Sequence, residues 1–137
     1  MPVSEKTLVL VKPDGVRRGL VGQILSRFEA KGFTIVAANL RTLDKQTADQ
    51  HYAEHVEKGW YGELREFITS GPLLSLILEG DQAVDVVRLM VGATDGRKAA
   101  PGTVRGDFSL SNQENLIHAS DSLDSAAREM ALFFPEV

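Results

Sequence analysis

The chain has 137 residues and no cysteine, with 43% hydrophobic and 25% charged residues. Those are the proportions of a globular domain, and they exclude a disordered chain, a disulfide scaffold, a thiol nucleophile and any cysteine-based metal site. A formal net charge of −4 gives no field for collecting nucleic acid or an anionic membrane surface. No apolar run approaches the ~20 residues that cross a bilayer, and the start Met1-Pro2-Val3-Ser4-Glu5-Lys6 lacks the order of a secretory signal. One cytoplasmic domain over residues 1–137 is the expectation.

Residues 7–11 form a short β-branched and leucine run that stops at Lys12-Pro13-Asp14-Gly15, which reads as a strand entering a turn. Over residues 20–31 the positions Leu20, Val21, Ile24, Leu25 and Phe28 keep helical spacing, with Gly32 as the stop. Residues 33–40 read as a strand, and 45–56 and 60–69 as two short helices broken near Gly59. Residues 73–78, entered through Gly71-Pro72, are nearly all apolar and read as a central strand. Asp81 is the expected cap of a helix running to Val91, with Val84, Val87 and Val91 inward. Residues 92–114 read as one long loop, a length that usually signals function. Residues 115–118 then give a short strand, and Ser122 caps a helix whose predicted inner face is Leu123, Ala126, Met130 and Phe134.

Two β-α-β units around four strands imply an α/β (α+β) fold, a ferredoxin-like sandwich with a four-stranded antiparallel sheet covered by helices. A doubly wound parallel sheet is the alternative, weakened by the small strand count and the lack of Gly-x-Gly-x-x-Gly.

Any imidazole chemistry must use His51, His55 or His118. His51-Tyr52-Ala53-Glu54-His55 fits the H-x-x-E-H pattern of one zinc protease class, but no third ligand accompanies it; the plainer reading is a solvated acidic helix. His118 stands beside Ser120 and Asp121, just before a helix whose free N–H groups suit phosphate. Glu129, two turns along, is a candidate to orient that imidazole. Lys12, Arg88 and Arg105 are scattered cations that either reach for solvent or converge on a polyphosphate. No Gly-x-x-x-x-Gly-Lys-Ser/Thr loop exists, which excludes a P-loop enzyme by motif.

Three separated segments carry a family resemblance: Thr7-Leu-Val-Leu-Val-Lys-Pro-Asp-Gly15, Thr103-Val-Arg-Gly-Asp-Phe108 and Asn115-Leu-Ile-His-Ala-Ser-Asp121. In this order they closely resemble nucleoside diphosphate kinase, and the resemblance runs from about residue 5 to residue 134. It implies transfer of a γ-phosphoryl group between nucleotides by a ping-pong route, with His118 as the nucleophile. It also implies phosphate and ribose contacts by Lys12, Tyr52, Arg88, Thr94, Arg105 and Asn115, support of the histidine by Ser120 and Glu129, and base contacts by Trp60 and Leu64. Mg²⁺ is the implied cofactor, ATP the main donor, and a homo-oligomer the implied assembly, a hexamer favoured over a tetramer. No membrane and no nucleic acid is needed. Ala119 stands where glycine is commoner in the family, and Gly59 and Gly96 where many relatives carry proline.

The chemistry of these residues agrees with that role. Phosphoryl transfer needs charge neutralisation and in-line positioning above all. A triphosphate carries about four negative charges, which Lys12, Arg88, Arg105 and one Mg²⁺ roughly match. An imidazole with an ordinary pKa of about 6.5 is a competent nucleophile near neutral pH. The rival from another class is a non-catalytic ferredoxin-like module that binds nucleotide or assembles a complex, which has no need for the full phosphate-handling set.

Overall fold

The computed structural model describes residues 4–137; the first three residues of the start read above, and of the expected domain, lie outside the described residues. Strand β1 spans Ser4–Val11 and lies inside the sheet, paired antiparallel with β3 (Leu73–Asp81) on one side and β4 (Ile117–Ala119) on the other. Strand β2 (Thr34–Arg41) pairs antiparallel with the outer side of β3, giving the order β2-β3-β1-β4.

Leu8, Val9, Leu10 and Val11 are all fully buried, because helices cover both faces of the sheet. Val9, Val11, Leu76 and Leu78 face Ile24 and Phe28 of α2 (Val21–Lys31) and Val87 and Val91 of α5 (Ala83–Val91). Leu8, Leu10 and Leu73 face the other way. They meet Ala48 of α3 (Lys45–His51), Ile68 of α4 (Tyr61–Ile68) and Phe133 of α7 (Leu123–Phe133). The β1-α2-β2-β3-α5-β4 core is a ferredoxin-like antiparallel sandwich; α3 and α4 are inserted before β3 and α7 is appended on their side. α2 ends where expected, at Gly32 with φ 112°, a left-handed position that glycine takes at little cost.

Several sequence-based expectations need correction. The turn at Lys12–Gly15 is the start of a one-turn helix, α1 (Pro13–Arg17), because proline at the first helical position has no N–H to lose. The helix predicted over 45–56 ends at His51 and is followed by a 3₁₀ turn, Ala53–His55. The loop over 92–114 holds a further helix, α6 (Val104–Phe108), which Thr103 caps by accepting from the Gly106 N–H at 3.0 Å. Gln82, in a left-handed conformation, replaces Asp81 at the start of α5.

The inner face of α7 also differs. Ala126, Glu129 and Phe133 are buried and Leu123 is exposed. Ala126 is buried as expected and Met130 and Phe134 pack half-buried against the core, so the correction is that Leu123 drops out and that Glu129, a carboxylate, and Phe133 join the inner face.

Candidate functional site

His118 stands on β4 directly opposite Leu10, on the sheet face shared with α3 and α7. Its Nε2 lies 2.8 Å from Glu129 Oε1, and the buried Ser120 hydroxyl donates to the same oxygen at 2.7 Å. An ionised carboxylate only accepts, so the ring proton belongs on Nε2 and the lone pair on Nδ1. Burial pushes the Glu129 carboxyl up, but the hydrogen bond and charge of His118 and the Ser120 hydroxyl bring it net below its usual range.

β4 is held in place by the residues just before it. Leu116 is fully buried at φ 74°, a costly conformation for a branched side chain. Its N–H donates to Asp14 Oδ2 at 3.1 Å and its carbonyl accepts from the Lys12 N–H at 2.8 Å. No local signal in the sequence marks Asp14: the Lys12-Pro13-Asp14-Gly15 punctuation reads as a turn and hides a buried carboxylate. Ala119 sits in the strand and is not among the positive-φ residues, so alanine costs nothing there for want of a glycine conformation.

A cavity of about 360 Å³ opens beside His118. Of the predicted site residues, Lys12, Tyr52, Trp60, Leu64, Arg88, Thr94, Arg105, Asn115, His118 and Glu129 line it, while Ser120 lies behind Glu129 and does not reach it. Lys12 is 7% exposed and donates through Nζ to Asn115 Oδ1 at 2.8 Å. Burial and the charge of Arg105 lower its pKa to about 8, against a smaller pull upward from Asp14. The Asn115 amide donates to the carbonyls of Thr94 and Asn112, so this side chain ties Lys12 to the long loop.

Arg105 gives three donors to the carbonyls of Asn115, Gly92 and Ile117. Two of its five N–H groups remain for a ligand. Burial, with Arg88 nearby, brings its pKa to about 10, which leaves it charged. Arg88 is exposed and paired with Asp121 at 2.5 Å. The Tyr52 hydroxyl is buried with no hydrogen-bond partner among the described residues, and burial raises its pKa. An orphaned hydroxyl at a cavity wall is a place for a ligand's polar atom.

His51, which the sequence paired with His55, turns instead to His118: the two rings meet edge-on with centroids 4.8 Å apart. His55 lies against Lys58 and Trp60. The H-x-x-E-H pattern therefore forms no two-histidine face, since the helix ends at His51. Gly96 is not a loosened proline position either: its N–H donates to Ser111 O, and a Cβ there would stand 2.4 Å from Ser109 O. Gly59 has open space around it.

The nucleoside diphosphate kinase family model matches residues 5–137. The chain belongs to the nucleoside diphosphate kinase family. It is 68% identical over 133 residues to a protein of that name from Nocardioides sp., covering 97% of this chain and 98% of that protein. With one from Thermobifida fusca it shares 56% over 133 residues, again 97% of this chain and 98% of the other. Among solved structures it is similar to a halophilic nucleoside diphosphate kinase from Halobacterium salinarum in complex with CDP. That match has a TM-score of 0.95 and 47% identity, covering 98% of this chain and 90% of that one. The Aquifex aeolicus nucleoside diphosphate kinase gives a TM-score of 0.92 at 40% identity, covering 96% of both chains. The family is one of phosphotransferase enzymes acting on nucleotides, and a cavity that sets His118 among the cations Lys12, Arg88, Arg105 and Arg128 suits that chemistry. No helix among the described residues is long and apolar enough to cross a membrane.

Proposed function

We propose that this chain, one kinase domain over residues 1–137, moves the γ-phosphoryl group of a nucleoside triphosphate to a nucleoside diphosphate through phosphorylated His118. The observation that carries this reading is the His118–Glu129 hydrogen bond, which fixes the tautomer with the lone pair on Nδ1. Nδ1 attacks the γ-phosphorus, the bond to the bridging oxygen breaks, and the diphosphate leaves with the electron pair. The imidazole becomes positive, and Glu129 balances that charge. In the second half a terminal oxygen of the acceptor diphosphate attacks the same phosphorus, and the N–P electrons return to Nδ1.

Lys12, Arg88 and the two spare N–H groups of Arg105 bind phosphate oxygens and offset the charge that shifts between them. Asn115 and Thr94 act from the loop side, with Asn115 holding Lys12, and Tyr52 offers its hydroxyl. Trp60 and Leu64 hold the base. Mg²⁺ would enter with the triphosphate as part of the substrate, held by phosphate oxygens: of the cavity-lining carboxylates Glu129 is engaged by His118 and Ser120 and Asp121 by Arg88, which leaves Glu54 as the one still available to it. ATP is the main donor, and the setting is cytoplasmic. The assembly is a homo-oligomer, a hexamer over a tetramer. Leu110, 86% exposed in the long loop, supports that assignment, because the family makes its trimer contact there.

The test is labelling with ATP carrying a labelled γ-phosphate, followed by peptide mapping. The expected label is acid-labile, alkali-stable, confined to the peptide holding His118, and discharged by any nucleoside diphosphate. Normal turnover in His118→Ala overturns the reading.

A further inference from the structure

His51 has no task in the reaction above. It is 4% exposed, it lines the cavity, and neither ring nitrogen has a hydrogen-bond partner among the described residues. A buried imidazole beside a cavity, with both nitrogens buried and unpartnered among the described residues, is a position for a ligand that a small shift of the ring would admit. Phe133 backs the ring at 5.3 Å between centroids, and the His118 ring stands on its cavity side at 4.8 Å. One donor atom each from His51, His118 and Glu129 lies within 4.8 Å of the other two.

Donors at ~2.1 Å around a tetrahedral ion stand ~3.4 Å apart, so side-chain shifts of about 1 Å close the set. Two imidazoles and one carboxylate with a fourth position open match Zn²⁺, Co²⁺, Ni²⁺ or Cu²⁺; hard ions such as Mg²⁺ and Ca²⁺ take oxygen sets. Lys12, Arg88, Arg105 and Arg128 also line the cavity and repel every divalent ion alike, so binding has to come from the imidazole nitrogens, which the hard ions take poorly.

We propose that His51, His118 and Glu129 form a site for a borderline divalent transition metal, and that the bound ion blocks phosphoryl transfer. The block follows from the imidazole's single lone pair. Glu129 Oε1 faces Nε2 at 2.8 Å, so an ion shared with it binds Nε2, displaces the proton there to Nδ1, and so consumes the lone pair that attacks phosphorus. The blocking half rests on His118 being the nucleophile; the binding half does not.

The experiment titrates Zn²⁺, and Co²⁺ as its spectroscopic substitute, into the full chain in Mg²⁺-containing buffer, by calorimetry and visible absorption. The expected result is one ion per chain, the intense visible bands of tetrahedral Co²⁺, and loss of transfer that a chelator restores. His51→Gln and His118→Gln should each weaken Zn²⁺ binding by at least ~10-fold, the lower bound for disturbing even a supporting partner of a metal ligand. His55→Gln should leave Zn²⁺ binding unchanged. Absent saturable binding, or binding that persists in both variants or falls with His55→Gln, overturns the site. If circular dichroism shows that His51→Gln does not fold, His118→Gln decides alone, since its side chain is partly exposed at 20%. Saturating zinc that leaves transfer at full rate overturns the block, and the labelling experiment reads separately whether the role of His118 has failed.

Discussion

His118 and Glu129 share one hydrogen bond, 2.8 Å from Nε2 to Oε1, and that bond decides which ring nitrogen is free to act. A Glu129→Gln substitution keeps the shape but offers an amide N–H in place of a pure acceptor. The ring proton then has no fixed home on Nε2, and the positive imidazole formed on attack has no counter-charge. Turnover should fall by ~10²-fold or more, the scale of a lost acid–base partner, while KM changes little because Glu129 is given no contact with nucleotide. Steady-state kinetics at fixed pH checks this; a raised KM with kcat intact overturns it.

Lys12 gives a prediction in pH. Its folded pKa of about 8 lies below the ~10.4 of an unfolded lysine, and burial is the main cause. Between those values the unfolded chain binds more protons than the folded one, so this group makes stability rise with pH across about 8 to 10.4. Binding should move the opposite way, because free enzyme above pH 8 has lost the charge that meets phosphate. The expected kcat/KM falls above about pH 8, and kcat holds to higher pH because bound phosphate keeps Lys12 protonated. A Lys12→Arg variant should lose that alkaline limb. Identical pH limits for kcat and kcat/KM would remove Lys12 from phosphate binding.

The core strands were legible as short continuous apolar runs bounded by turn residues, which fits strands covered on both faces, and the Val84, Val87, Val91 stripe as apolar positions at helical spacing. The three motif segments also announced which side chains to look for, and the fold brings ten of the site residues to one cavity. What stayed hidden is polar burial. Glu129 occupies a core position of α7 only because His118 and Ser120 satisfy it, so an apolar template reads past it and takes in the exposed Leu123 instead. Asp14 is likewise buried through its bond to Leu116 102 residues away, and His51 becomes a cavity wall only when α3 is laid against β4. These are long-range pairings, and no local spacing encodes them.

Arg105 should behave as a residue with two duties. Its three bonds to the carbonyls of Gly92, Asn115 and Ile117 hold the long loop against β4. Arg105→Ala strands those acceptors, so stability should drop by about 1–3 kcal/mol, read from a denaturant midpoint. Turnover should drop by ~10²-fold or more in the same variant through loss of a preorganised charged donor. Arg105→Lys retains a charge without the planar fork and should lose much of both. Full turnover in a destabilised Arg105→Ala protein would leave the residue a structural clamp only.

Trp60, the only tryptophan, lies on the cavity wall with half of its surface, 52%, exposed. The Lys58 ammonium sits 5.3 Å from its ring centroid and the His55 ring at 5.3 Å, so the indole is steadied by neighbours instead of being sunk into the core. An exposed aromatic face held at a cavity edge suits base stacking, which is tolerant of sequence because every base has a π-face. Purines should be somewhat favoured for their larger face. At ~1–3 kcal/mol per stacked base, Trp60→Ala should weaken nucleotide binding by roughly five- to 150-fold, and Trp60→Phe by little. The measurement is direct, because nucleotide addition should change the intrinsic fluorescence of this single reporter. Emission indifferent to saturating ADP, with unchanged affinity in Trp60→Ala, would leave the base held by other groups on the wall, Leu64 among them.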